Sequence, residues 1–225
     1  MILIIKGKEP KAWTQYRLTP GVDYQSIPEL VDSLLKEQGY ICAYCMRRIP
    51  HKDKLFVKED GAHYNLTNEN HRVEHIKSRE KHDDLKLNYS NMVVCCPGHI
   101  GDENHCDRKK DSNDISFSPL DAAFISTLSY TSEGEIKSSN AAYNNDIENT
   151  LNLNTKLLVI NRKSVREKII VQLNATCKRS GKWDKALLIK YLSKYENMHS
   201  EDGCLKYYPY CGVIIWYIRK KLSQL

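Results

Sequence analysis

The sequence predicts an α+β fold, in which a small cysteine-bearing α+β core sits within a mainly helical frame. Three observations carry that expectation. A Cys-x-x-Cys turn at Cys42 and Cys45 is followed by a second cluster of Cys and His between residues 95 and 106. Two short apolar segments, "HRVEHI" and "NMVVCC", have the length and β-branched content of strands. From Asn144 onward, apolar residues recur three and four apart, the period of a helix face. No internal repeat or long linker interrupts the pattern, and 225 residues can bury a core without covalent staples.

Taken in order, Ile2 to Ile5 reads as a short strand. Next comes "SIPELVDSLLKEQGY", where Ser26 and Glu29 have the spacing of a capping box and Pro28 suits a first helical turn. Ile27, Leu30, Val31, Leu34 and Leu35 form one apolar stripe, and Gly39 supplies the stop. Residues 51–70 are polar, with Asp60-Gly61 and Asn68 marking a loop or insertion. "HRVEHI" and "NMVVCC" are expected to pair, and "CDRKKDSNDI" to begin a short helix. "ISTLSYTSEGEIKSS" reads as a hairpin around Glu133-Gly134. Leu153, Leu157, Ile160, Val165, Ile169 and Leu173 predict one helix face, Leu188, Tyr191, Leu192 and Tyr195 a second, and Val213 to Leu222 a last apolar segment.

Charge is unevenly spread along the chain. Residues 151–225 hold 15 basic and 5 acidic side chains, leaving 19 and 23 for residues 1–150. A basic C-terminal third points to a polyanion or an acidic partner, or else to solvated Lys-rich helix faces. The opening "MILIIKGKEP" lacks the layout of a targeting signal, and "VIIWYI" from Val213 to Ile218 is too short to span a bilayer. A cytosolic location with no membrane contact is therefore expected. Thiols stay reduced there, so clustered cysteines favour metal over disulfide.

Cys42 and Cys45 offer two thiolates from one tight turn, as a tetrahedral zinc site needs. The second pair must come from Cys95, Cys96, His99, His105 and Cys106. Adjacent cysteines on a strand face opposite sides, so only one of Cys95 and Cys96 can point at the ion. The expected structural Zn2+ ligands are Cys42, Cys45, Cys96 and Cys106. Cys177, Cys204 and Cys211 read as core or surface thiols, and Trp183 and Trp216 as packing or a partner surface.

Between the cysteine clusters lie Glu74, His75 and Asn91, and directly after the last come Asp107, Arg108, Lys109 and Lys110. Two strands and a helix tied by zinc would gather them in one cleft. The inventory suits phosphodiester hydrolysis. A neutral imidazole deprotonates water near pH 7, carboxylates hold a hard divalent cation, and basic side chains hold phosphates.

The order "CAYC … VEHI … NMVVCC … HCDRKK" resembles the HNH (ββα-metal) nuclease pattern in its zinc-stabilised, treble-clef form, carried by Gln38 to Lys110. More narrowly, "LLKEQGYICAYCMRRI", "VEHIKSR", "NMVVCC" and "HCDRKK" resemble the PtuB family, the HNH effectors of Septu anti-phage systems, also found beside a retron reverse transcriptase. The likeness extends to "MILIIKGKEP" and "TLNLNTKLL", and so covers most of the chain. It implies a metal-dependent HNH endonuclease acting on DNA, with residues 41–118 as the nuclease core. Residues 1–40 would lead into that core, and residues 119–225 would form a hairpin and helical region for partner docking.

By the same resemblance His75 is the general base, and Asn91 fixes the loop and orients that base. Glu74 and Asp107 hold the catalytic Mg2+ or Mn2+, and Lys110, with Arg108 and Lys109, meets phosphate. Ser78 stands where a proline is common, and Glu74 is one methylene longer than the usual Asp. The interval from Cys96 to Cys106 is also long, which leaves His99 or His105 open as zinc ligands or substrate contacts, and Cys95 stays open as a replacement zinc ligand. The implied partners are DNA, a PtuA-like SMC/ABC ATPase and, in a retron setting, a reverse transcriptase with its DNA product. The implied location is the bacterial cytoplasm. A non-catalytic zinc module for nucleic acid or protein is the rival reading, and it gives His75, Glu74 and Asp107 no work. An RNA-directed nuclease of the same fold is a second rival.

Overall fold

The computed structural model describes residues 1–50, 56–57, 63–64, 70–100, 103–177 and 183–225. The architecture is mixed: helices of varied length combine with two-stranded antiparallel sheets. Among the described residues, no helix is long and apolar enough to cross a membrane.

The expected strand at Ile2 to Ile5 does not form. Ile4 N–H bonds Pro119 O at 3.0 Å, but no ladder follows and Ile5 is exposed, so the segment is extended without a partner strand. Helix α1, Lys11–Arg17, buries Trp13 completely. Helix α2, Pro28–Glu37, begins with Pro28 in its first turn and buries Leu30, Val31, Leu34 and Leu35. The Ser26/Glu29 capping box is not made. The N-cap falls on Ile27, one residue later, so no side chain caps the turn and the proline, which needs no N–H partner, sets the start. Gly39 ends the helix at φ +55°, where an added Cβ would meet Tyr207 N at 2.8 Å.

The chain then makes the Cys42–Cys45 turn, closed by Cys42 N–H to Arg47 O at 2.9 Å and Met46 N–H to Cys42 O at 3.1 Å. Strands β1, Phe56–Val57, and β2, His63–Tyr64, pair antiparallel. The loop expected around Asp60-Gly61 and Asn68 lies outside the described residues. Strand β3, Arg72–His75, pairs antiparallel with β4, Met92–Cys95, matching His75 to Met92 and Arg72 to Cys95. The free edge of β4 is satisfied locally. Buried Gln38 accepts from Val94 N–H at 2.6 Å and donates to Val94 O at 2.8 Å, while Ala43 N–H reaches the same carbonyl at 3.1 Å. This edge docks the cysteine turn onto the sheet.

A small hairpin, β5 His99–Ile100 and β6 Glu103–Asn104, precedes helix α3, Asp107–Lys110. Helix α4, Ala122–Ser126, leads into the expected hairpin of β7, Leu128–Tyr130, and β8, Ile136–Ser138, followed by α5, Ala141–Asn145. Helix α6 spans Lys156–Thr176, and its buried stripe is Leu158, Arg162, Ile169 and Leu173. The predicted stripe is thus corrected: Leu157 and Ile160 face solvent, and Leu153 packs ahead of the helix. A buried arginine occupies the face, which a search for apolar period cannot register. Helix α7, Lys185–Glu196, packs on α8, Cys211–Leu222, with the hairpin of β9, His199–Glu201, and β10, Cys204–Lys206, between them in sequence.

Candidate functional site

Four thiols converge at one point. Cys42 and Cys45 come from the tight turn, Cys96 follows β4 directly, and Cys106 sits at the entry to α3. All four are buried, and their Sγ atoms lie within 4.8 Å of one another. Cys42 to Cys106 is 3.8 Å and Cys45 to Cys96 is 3.6 Å. A tetrahedron with metal–sulfur bonds of about 2.3 Å has edges of about 3.8 Å, whereas a disulfide needs about 2.0 Å. The cluster fits a metal such as zinc. Burial opposes the Cys42 thiolate, but hydrogen bonds from the neighbouring thiols outweigh it and hold Cys42 well below the ordinary thiol range.

The long interval from Cys96 to Cys106 is closed by the β5–β6 hairpin. His105 N–H bonds Gly98 O at 2.8 Å, and Gly98 stands at φ +80°, where a Cβ would meet that His105 carbonyl. Cys106 itself takes a left-handed φ of 54°, and its N–H bonds Leu151 O at 2.8 Å. The alternatives for the ligand set resolve accordingly. Cys95 is buried and stands outside the group of four, with its thiol interacting with Cys42. His105 Nδ1 lies 3.1 Å from Cys106 Sγ, beside the thiols and not among them. His99 Nδ1 faces Arg108 Nη1 at 3.1 Å.

Beside the cluster, β3 and α3 form the wall of a cavity of about 610 Å3 that Glu74, His75, Asp107 and Lys110 line together. Glu74 is almost sealed from solvent. Tyr44 Oη donates to its Oε1 at 3.1 Å, and Lys110 Nζ lies 2.8 Å from the same oxygen. Burial pushes the Glu74 carboxyl up to about 8, aided by Asp107 and opposed by Lys110. Asp107 also meets Arg72 Nη1 at 3.3 Å.

His75 closes β3 and is 4 % exposed. Its Nε2 lies 2.9 Å from Lys86 O, and a carbonyl oxygen can only accept. The neutral ring therefore carries its proton on Nε2, which leaves Nδ1 as the basic lone pair. Burial lowers His75 to about 4, against the raising effect of that carbonyl, so the imidazole is neutral at physiological pH.

Asn91 stands behind the cavity. Its Oδ1 accepts from Lys77 N–H at 2.8 Å, and its Nδ2 donates to Lys77 O at 3.0 Å and Leu85 O at 3.3 Å. It ties down both ends of the loop that delivers the Lys86 carbonyl to His75. The side chain positions the base without reaching the cavity.

The basic trio is placed differently from expectation. Lys110 is 1 % exposed and spends its ammonium on Glu74 and on His75 O at 3.0 Å, so it is an internal counter-ion and not a surface phosphate contact. Arg108 and Lys109 are exposed on α3 but do not line the cavity. Sequence reasoning missed Arg72, Tyr24, Arg79 and Lys86, which do. Arg72 was within reach, because it lies two residues before Glu74 on a strand and so shares its face. Tyr24 carried no signal, since it reaches the cavity from the segment between α1 and α2. No protein-family model matches this sequence, and no curated protein matches it either.

Proposed function

We propose that this chain is a metal-dependent HNH endonuclease hydrolysing DNA phosphodiester bonds, with a separate zinc holding its core. One observation carries the reading: His75 spends Nε2 on a backbone carbonyl and keeps Nδ1 basic, in a cavity it shares with the carboxyls of Glu74 and Asp107. In this reading Nδ1 takes the proton of the attacking water, and Lys86 O steadies the imidazolium that forms. Asn91 keeps that carbonyl in place. Asp107 and Glu74 offer the oxygen donors that a hard cation of the Mg2+ or Mn2+ type prefers, Asp107 being the more open of the two. Such a cation would offset charge on the phosphate and on the departing 3′-oxygen.

The cellular setting rests on the sequence resemblance to the PtuB family. It makes the chain the effector of a Septu-type or retron-linked anti-phage system, restrained by an SMC/ABC-like ATPase. The basic surplus of residues 151–225 suits either that partner or nucleic acid.

The test is cleavage of plasmid DNA with added Mg2+ or Mn2+, with an RNA substrate alongside. His75→Ala should lose about 10²–10⁴ in rate while keeping its zinc. Equal rates for the variant and the wild type would refute the base assignment, and no cleavage by either would favour a non-catalytic zinc module.

A further inference from the structure

The cavity beside His75 is acid-rich, and most of its cations are already engaged by carboxyl groups. Arg72 is paired with Asp107 at 3.3 Å, Lys110 with Glu74 at 2.8 Å, and Lys86 with Asp83 at 2.8 Å and Asp23 at 3.2 Å. Glu80 and Asp111 add further carboxylates to the wall. Arg79 differs: it is exposed, and among the described residues no carboxylate lies within ion-pair distance of it. Its guanidinium lies over the Tyr24 ring, 4.6 Å from the centroid.

Tyr24 is itself held. Its ring meets His75 edge-on, with centroids 4.6 Å apart and planes at 83°. Fully buried Trp13 backs it at 6.1 Å, and the Trp13 indole N–H donates to Leu87 O at 3.2 Å, one residue beyond the carbonyl that holds His75. Tyr16 Oη donates to Asp23 O at 2.7 Å, fixing the neighbouring backbone. An exposed arginine is normally mobile, but stacking on an anchored ring restricts it in advance and so lowers the entropy cost of binding. The planar guanidinium then presents paired N–H donors suited to phosphate oxygens.

We propose that Arg79, laid on Tyr24, is the phosphate-docking cation of this cavity and holds a phosphodiester against His75, with Tyr24 as its positioning residue. The inference rests on the nuclease reading for the identity of the ligand, a nucleic-acid backbone. It gives the segment between α1 and α2 a task in the site, because the ring that orients Arg79 comes from there.

The test is binding of a labelled DNA duplex to the full chain in Ca2+, at several salt concentrations. Wild type, Arg79→Gln, Arg79→Lys, Tyr24→Leu and Tyr24→Phe are compared, with zinc content and melting temperature as fold controls. RNA and inorganic phosphate serve as competitors that separate possible sources of the anion. Arg79→Gln should weaken binding about tenfold and lower the salt slope by about one, as loss of one phosphate contact requires. Tyr24→Leu should reproduce part of that loss in affinity, and Tyr24→Phe, which keeps the ring, should retain most of what Tyr24→Leu loses. Unchanged affinity and slope in Arg79→Gln would overturn the proposal. Cleavage by the wild type is measured in parallel. An uncleaving wild type whose binding still depends on Arg79 sinks the nuclease reading and keeps the phosphate site, whereas a cleaving wild type indifferent to Arg79→Gln does the reverse.

Discussion

Lys110 Nζ lies 2.8 Å from Glu74 Oε1, with the two side chains 1 % and 4 % exposed. A buried pair of this kind is weak evidence for net stability, but breaking it is costly because a polar group is stranded. Lys110 also donates to His75 O, so it ties α3 to the end of β3. Lys110→Met should destabilise the fold by about 3 kcal/mol in urea denaturation. The double variant Lys110→Met/Glu74→Gln should regain part of that loss, and simple additivity of the two changes would disprove their coupling.

The pH dependence of stability follows from two neighbours with opposite signs. His75 falls from 6.5 to about 4 on folding, so between those values the unfolded chain binds more protons. That contribution is complete above pH 6.5 and is lost as pH falls toward 4, amounting to about 3 kcal/mol. Glu74 rises from 4.5 to about 8, so the folded chain keeps a proton the unfolded chain has released. Its contribution is present at low pH and declines as pH rises through that window. Stability curves for His75→Gln and Glu74→Gln should each lose one of these slopes; parallel curves for all three proteins would contradict both assignments.

The cysteine cluster discriminates between adjacent residues. Cys96 lies with Cys42, Cys45 and Cys106, while Cys95, next to it, stands outside that group although its thiol interacts with Cys42. Cys96→Ser should abolish stoichiometric zinc and much of the folding free energy, whereas Cys95→Ser should keep the metal. Metal analysis of the two purified variants decides this, and zinc loss from Cys95→Ser would show a different ligand set.

Much of this site was readable because strand period constrains it. Alternation admits only one of Cys95 and Cys96 to the cluster without saying which, and the paired strands at 72–75 and 92–95 follow from their apolar runs. What escaped reading was set by tertiary contact. Lys110 is a lysine like any other in sequence, and only the packing of α3 on β3 turns it inward to Glu74. Tyr24 belongs to a segment with no periodicity, and its place against His75 depends on Trp13. The hairpin at 199–206 is short and polar, and its turn at Asp202-Gly203 sits between helices whose pattern dominates the region.

Asn91 offers a test of positioning as distinct from contact with substrate. Its amide satisfies Lys77 on both sides and Leu85 on one, which leaves the side chain no free role in the cavity. Asn91→Asp keeps the acceptor but loses the donated bonds to Lys77 O and Leu85 O. The loop should then loosen, lowering kcat with little change in KM, and amide exchange should rise across residues 77–86. A change confined to KM would place Asn91 on the substrate instead.

Arg162 is a buried cation on the inner face of α6. It is 1 % exposed, and it donates to Gly134 O at 2.6 Å, Leu153 O at 2.8 Å and Asn154 Oδ1 at 2.9 Å, all neutral oxygens. Among the described residues it has no carboxylate partner, and a buried cation with only carbonyls around it is costly. Burial lowers Arg162, against raising influences from Tyr130 first and then from Cys45, Tyr210 and Cys106, of which Cys45 and Cys106 belong to the cluster. A divalent ion held there by four thiolates would form a net negative centre and could act as a counter-charge to Arg162. Arg162→Met should therefore weaken zinc binding about tenfold, or about 1.4 kcal/mol, in competition with a chromophoric chelator. Leu173→Ala, on the same helix and equally buried, should lower stability without that loss. If both variants surrender zinc to the chelator alike, the guanidinium owes its stability to its three oxygen partners, and the metal is not its counter-ion.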